Sequence, residues 1–253
     1  METARYIKIK AMMPDSLRMK LDHIKRYLDE GKAAALIGAG FSKNARMPEA
    51  ADMKDWNALG VEFYKRLYGE PKSGDLLFQN PINLATQVEA SFGRHELDNM
   101  IQQSLPDDVI VPSQLHVDLL NLGWHDLFTT NYDTLLERAC LDADHPYNIV
   151  YNKDTLLYSL SPRIVKLHGS FPNIRPYIIT EEDYRTYPHR YPEFVNTVRQ
   201  SLIENLFCLI GFSGDDPNFK SWLGWLRDVM GQQISPVYFI TFDHCCPKKN
   251  SQT

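Results

Sequence analysis

The sequence predicts an α/β fold, a Rossmann-like, doubly wound, mostly parallel sheet with a helical insertion after its first strand. Three observations predict it. The run Ala33-Ala34-Ala35-Leu36-Ile37 is apolar without in/out alternation and breaks into Gly38-Ala39-Gly40, as a buried central strand does on entering a tight turn. Further short apolar runs over 125–130, 163–167 and 206–210 alternate with stretches of helical period. Each of these runs is followed at once by a polar or glycine-rich cluster.

Composition narrows the class. The chain has 253 residues, 43% hydrophobic and 23% charged, enough to bury a sizeable core in one α/β domain with a subsidiary module. A formal net charge of −5 offers no general attraction to nucleic acid, so direct nucleic-acid binding is not expected. No apolar run approaches the roughly eighteen residues of a membrane span, and the first twenty residues lack a signal-peptide centre. A cytoplasmic protein without a membrane segment is the expectation. The four cysteines, Cys140, Cys208, Cys245 and Cys246, form no C-x-x-C pair, so neither a zinc site nor a disulfide framework is expected.

Taken in order, residues 15–30 carry Leu17, Leu21, Ile24 and Leu28 at helical spacing, with Asp15 or Ser16 as the expected cap. This helix, residues 1–32 with its leader, feeds the strand at 33–37. Helical patterns over 55–68, 82–92, 94–105 and 113–122 follow, separated by breakers such as Leu105-Pro106-Asp107-Asp108. A connection of this length far exceeds a simple crossover, so about 44–124 reads as an insertion that roofs the site. Strands at 125–130, 147–151, 163–167, 206–210 and 237–242 and helices at 134–140, 192–204 and 218–230 complete the domain, with a short segment at 177–180. The domain is expected to span 33–243, and the polar tail 244–253 is expected to be disordered.

Chemistry concentrates in four clusters, Gly38–Ser42, Thr129–Asp133, His168–Ser170 and Gly211–Asp216. In an open parallel sheet, ligands bind outside the C-terminal strand ends, so all four would face one crevice. Each also has a structural reading. The glycines can serve a sharp turn alone, Asn131 can cap the helix after it, Asp133 can stabilise that helix's first turn, and His168 can be an ordinary hydrogen-bonded histidine.

As a set, the clusters resemble the sirtuin family, which cleaves NAD+ at the nicotinamide glycosidic bond. Gly38-Ala39-Gly40-Phe41-Ser42, with Pro48 beyond it, is similar to the family's nucleotide turn. Thr129-Thr130-Asn131-Tyr132-Asp133, His168-Gly169-Ser170 and Gly211-Phe212-Ser213 follow in the family's order. Two departures matter. Residues 170–207 hold no cysteine, so the family's structural zinc module is missing, and Glu49-Ala50-Ala51 replaces the Asp-Phe-Arg that shields the cleaved intermediate. The chain therefore resembles the zinc-less NADase branch found in bacterial anti-phage defence proteins, as does Thr180-Glu181-Glu182-Asp183-Tyr184.

That resemblance implies an NAD+ hydrolase with NAD+ as substrate and no metal. It implies Asn131 and His168 as catalytic residues. Gly38, Ala39, Gly40, Phe41, Ser42, Pro48, Thr129, Asp133, Gly211 and Ser213 would bind the dinucleotide. A side chain at Gly40 would fill the space where backbone meets pyrophosphate, Ser42 would add a hydroxyl hydrogen bond there, and Asp133 would position the nicotinamide amide or order the loop. An NAD-dependent deacylase and a non-catalytic NAD or ADP-ribose sensor are the competing readings. Because unregulated NAD+ destruction would kill its host, the expectation includes a homo-oligomer, an activating partner protein or a further C-terminal domain that gates activity.

Overall fold

The computed structural model describes residues 14–48, 54–72, 74–75, 80–212, 214–231 and 235–240. Helix α1 (Asp15–Asp29) leads into strand β1 (Ala33–Ile37). Its cap position is Pro14, without a side-chain cap, so neither Asp15 nor Ser16 plays the capping part; both are already helical in position or enter the first turn. The one-turn helix α2 (Ala39–Ser42) follows β1. Among the described residues four helices then precede the second strand: α3 (Trp56–Tyr68), α4 (Pro81–Phe92), α5 (Arg94–Ser104) and α6 (Gln114–Leu120). Asp55 caps α3 through the Ala58 N–H at 3.0 Å, and Asn80 caps α4 with Pro81 at the first helical position.

The rest alternates: β2 (Asp126–Thr129), α7 (Leu135–Ala139), β3 (Asn148–Val150), α8 (Lys153–Tyr158), β4 (Arg163–Lys166), α9 (Glu181–Arg190), α10 (Pro192–Glu204), β5 (Leu206–Ile210), α11 (Pro217–Met230) and β6 (Val237–Ile240). Sequence reading passes over α8 and α9. Helix α9 is a weak helix former on its polar face and carries Pro188, yet Thr180 closes a capping box with Asp183 that starts it. The segment 177–180 is an irregular stretch, tied to the turn after β4 by the Ile178 N–H to His168 carbonyl bond at 3.1 Å.

Among the described residues the six strands run parallel in the order β3-β4-β2-β1-β5-β6. Burial on both faces explains the unbroken apolar spelling of the central strands. Ala34 and Leu36 join Phe207, Leu209 and Trp222 on one face, while Ala33, Ala35 and Ile37 join Leu127, Leu206 and Cys208 on the other. A third cluster lies past the strand ends, where Phe63, Leu84 and Leu97 of the helices between β1 and β2 pack on Tyr132, Phe171 and Tyr177. Arg94 at the start of α5 reinforces this junction, pairing with Asp98 and with Asp183 at 2.9 Å each. Tail residues 244–253 lie outside the described residues.

Candidate active site

Register brings the four clusters into line. Ile37, Thr129, Lys166 and Ile210 are aligned across β1, β2, β4 and β5. These four residues end their strands, so the segments that carry Ala39, Asn131, His168 and Phe212 leave the sheet at the same C-terminal edge. The chain leaves β1 toward β2 on one side and returns through β5 on the other, so this edge carries the topological switch point.

Between β1 and β5 the two backbones touch. The N–H groups of Gly38 and Gly40 donate to the carbonyls of Ile210 and Gly211 at 3.0 and 2.9 Å. A Cβ on Gly40 would stand 2.7 Å from the Gly211 carbonyl oxygen, and one on Gly211, at φ 61°, would stand 2.2 Å from the Phe41 nitrogen. The glycines thus have a structural reason independent of any phosphate, and a bulkier residue at position 40 strikes the β5 turn first. Ala39 and Gly40 remain exposed at the crest of the turn.

Across the other flank of β1, a polar chain holds the Asn131 loop. Thr129 Oγ1 donates to the Ile37 carbonyl at 2.9 Å and accepts from the Asn131 N–H at 3.1 Å. The Asn131 side-chain amide donates to Ser42 Oγ at 2.9 Å, and Ser42 donates in turn to Asp133 at 2.8 Å. Ser42 is only 4% exposed, and its single proton is committed inside the protein rather than free for a phosphate. Asp133 also accepts from the Leu135 N–H at 3.2 Å, so the first-turn part open to it in the sequence is one it plays. Asn131 does not cap α7; Thr134 occupies that position.

The loop is braced from below and from the side. Lys166, fully buried, donates to the Asp133 carbonyl and lies 3.0 Å from Glu137, which also accepts from Ser170 Oγ at 3.1 Å. Asp107, from the segment between α5 and α6, accepts from the Thr134 N–H and hydroxyl at 2.7 and 2.8 Å. A buried lysine at the C-terminal end of an inner strand is tolerated because it is paired with the Asp133 carbonyl and the Glu137 carboxylate.

His168 is held differently. It is 2% exposed, with Tyr184 and Tyr187 set edge-on at 5.5 and 5.7 Å and Nε2 3.3 Å from the Asn218 side-chain amide. Burial pushes its pKa below the ordinary histidine value, against the upward pull of Asp216 and Asp183. Asp216 accepts from the Tyr184 hydroxyl at 3.2 Å and caps α11 through the Phe219 N–H at 3.0 Å. No hydrogen bond among the described residues joins His168 to Asn131.

Two neighbours escape sequence reading. Asn218 stands two places beyond the end of the Gly211–Asp216 cluster, on the first turn of α11; the Asp216-Pro217 helix start was the available signal. His116 packs edge-on against Phe41 at 5.0 Å, its Nδ1 receives the Ser113 N–H at 3.2 Å, and its buried Nε2 has no partner among the described residues. Burial lowers its pKa as well, with Asp133 opposing. Pro48 is exposed, two residues past the Arg46–Val111 bridge, and Ser213 and Glu49-Ala50-Ala51 lie outside the described residues. Among the described residues no group of three or more His, Cys, Asp or Glu is placed to hold a metal ion, and no helix is long and apolar enough to cross a membrane.

Comparison with known proteins adds a family. A family profile described as a SIR2-like domain matches residues 125–252. The chain is similar to Defense-associated sirtuin 2 of Bacillus subtilis, 24% identical over 220 residues that cover 84% of this chain and 21% of that protein. It is 28% identical over 236 residues to NAD(+) hydrolase ThsA of Acinetobacter baumannii, covering 90% of this chain and 46% of that one. With NAD(+) hydrolase ThsA of Enterococcus faecium it shares 26% identity over 227 residues, 86% of this chain and 45% of that protein. The chain thus spans between about a fifth and about half of the length of these relatives.

Proposed function

The chain belongs to the SIR2-like family, and from that membership we propose that it hydrolyses NAD+ to nicotinamide and ADP-ribose, as an effector that depletes NAD+ in anti-phage defence. The observation that supports the reading is the register of β2 and β4, which aligns Thr129 with Lys166, so that the segments bearing Asn131 and His168 leave the sheet side by side at the same end. The names of the relatives support the same chemistry.

The reaction breaks the bond between ribose C1′ and the nicotinamide nitrogen. The bonding electron pair leaves on that nitrogen, turning the cationic ring into neutral nicotinamide. A water oxygen bonds to C1′, and the proton it loses passes to His168 and then to solvent. Burial keeps His168 neutral at physiological pH, so its lone pair is available as a base. Asn131, tethered through Ser42 to Asp133, orients the water or a ribose hydroxyl with its amide. Asp133 and Thr129 order the loop that presents it. The exposed crest at Ala39 and Gly40, beside Phe41 and Gly211, offers the diphosphate close approach to backbone.

We place the activity in the cytoplasm, gated by self-association, by an activating partner protein or by a further C-terminal domain. The test is nicotinamide release from NAD+ with and without an acylated peptide. Release without peptide is the expected result; release only with peptide selects a deacylase, and binding without release a sensor. Asn131→Ala and His168→Ala should each lower turnover per folded molecule by about 10²-fold. The double variant should lose little more than the worse single one, since the two act on one developing charge. Wild-type turnover in His168→Ala would remove that histidine from the mechanism.

A further inference from the structure

We propose that Asn218 is a positioning residue for His168, selecting which ring nitrogen serves as base and holding the ring toward the crevice. The inference deepens the hydrolase reading and rests on it. Asn218 is 4% exposed and His168 2%, and the contact between the amide and Nε2, at 3.3 Å, is the one polar contact to the ring among the described residues. Its ring contacts among the described residues are aromatic: Tyr184 and Tyr187 meet it edge-on and offer its nitrogens no hydrogen bond, so the polar contact falls to Asn218.

The chemistry follows from the amide's two ends. With Nδ2 donating, Nε2 is the acceptor, the proton sits on Nδ1, and the ring can take a proton only at Nε2 once the amide gives up that lone pair. With the amide turned over, Oδ1 accepts from Nε2–H and the Nδ1 lone pair becomes the base. Either way a single neutral tautomer is selected, as the partner of a functional histidine does. The placement of Asn218 is firm because it sits in the first turn of α11, whose start is set by Pro217 and by the Asp216 cap. Asp216 in turn is tied to Tyr184, so the amide, the ring and one ring neighbour share a single support. The charged and titratable groups acting on His168 are Asp216 from the turn before α11 and Asp183, Tyr184 and Tyr187 from α9.

The experiment uses the full chain with Asn218→Ala and the isosteric Asn218→Asp, and reads three things. These are NAD+ binding, the pH profile of nicotinamide release, and the titration of the His168 ring by NMR. Asn218→Ala should lower kcat by about tenfold to a hundredfold with KM little changed, the pattern of a misaligned reacting group. Asn218→Asp places a carboxylate beside the ring, favours the imidazolium, and should move both the ring titration and the acid limb of the rate profile to higher pH. A merely structural asparagine would move stability and neither limb. Turnover of folded Asn218→Ala within twofold of wild type would overturn the proposal. Should the alanine variant fail to fold, an unmoved His168 titration in Asn218→Asp overturns it. The hydrolase reading fails on a separate result, a wild-type protein that binds NAD+ and releases no nicotinamide. The ring titration then still decides whether Asn218 governs His168.

Discussion

The loop bearing Asn131 and the turn bearing His168 lie one strand apart, and different physics holds each. Asn131 ends a chain of hydrogen bonds through Ser42 and Asp133, braced by buried Lys166 and by Asp107 from outside the sheet. His168 is wedged between aromatic rings with one polar contact to its ring among the described residues. A polar network in a low-dielectric interior is stiff and costly to break, so the Asn131 side couples position to folding. Aromatic packing constrains a ring with little charge, so the His168 side leaves protonation adjustable. The difference suits an orienting group on one strand and a proton acceptor on the next.

The largest expected effect tests the frame on which both sides hang. Gly211→Val would force a left-handed backbone onto a branched residue and drive its Cβ into the Phe41 nitrogen, a cost upwards of about 3 kcal/mol. Denaturant unfolding should show little or no folded protein; near-normal stability would mean that the β1 and β5 turns can separate.

Next comes the brace under Asn131. Lys166→Met should destabilise by about 3–5 kcal/mol, because the largely buried Glu137 carboxylate is left without its cation. Adding Glu137→Gln should recover part of the loss, a coupling that a double-mutant cycle measures. Independent, additive effects would erase the electrostatic half of the contrast.

The smallest effect sharpens the other half. His168 and His116 both have folded-state pKa values below 6.5, for burial disfavours their charged forms. The unfolded chain therefore binds protons more readily than the folded one as pH drops. The stability contributed by keeping the rings neutral is complete above about pH 6.5 and is lost as pH falls toward the folded-state values. Melting temperatures recorded between about pH 7.5 and about pH 5.5 should decline, and His168→Gln should decline less steeply. An identical slope would show that His168 is not neutralised by its surroundings.

Much of this arrangement is legible in the sequence. Strands Ala33–Ile37 and Leu206–Ile210 were readable because unbroken apolar runs bounded by glycine are what two-sided burial demands. The helices α8 and α9 were not, since short polar helices owe their existence to caps and contacts rather than to periodicity. At the site, Asn131, Asp133 and Ser42 are legible as members of clusters that face one crevice; that they bond to each other is not, being a contact across 89 and 91 positions. Asn218 is legible only as the start of a helix, because an asparagine in a helix's first turn carries no local mark of what it faces.

Local order, then, belongs to the sequence by itself: the apolar period that makes a parallel sheet, the glycines that let its turns form, and the polar clusters placed at strand ends. Those features depend on near neighbours, where steric and hydration preferences act residue by residue. Tertiary structure alone decided which groups share a hydrogen bond, which histidine is driven neutral by burial, and that Gly38 and Gly40 serve the crossing with β5. These follow from the register of β1, β2, β4 and β5, because only the folded sheet brings chain segments far apart in sequence to within bonding distance and excludes the water that would otherwise screen them.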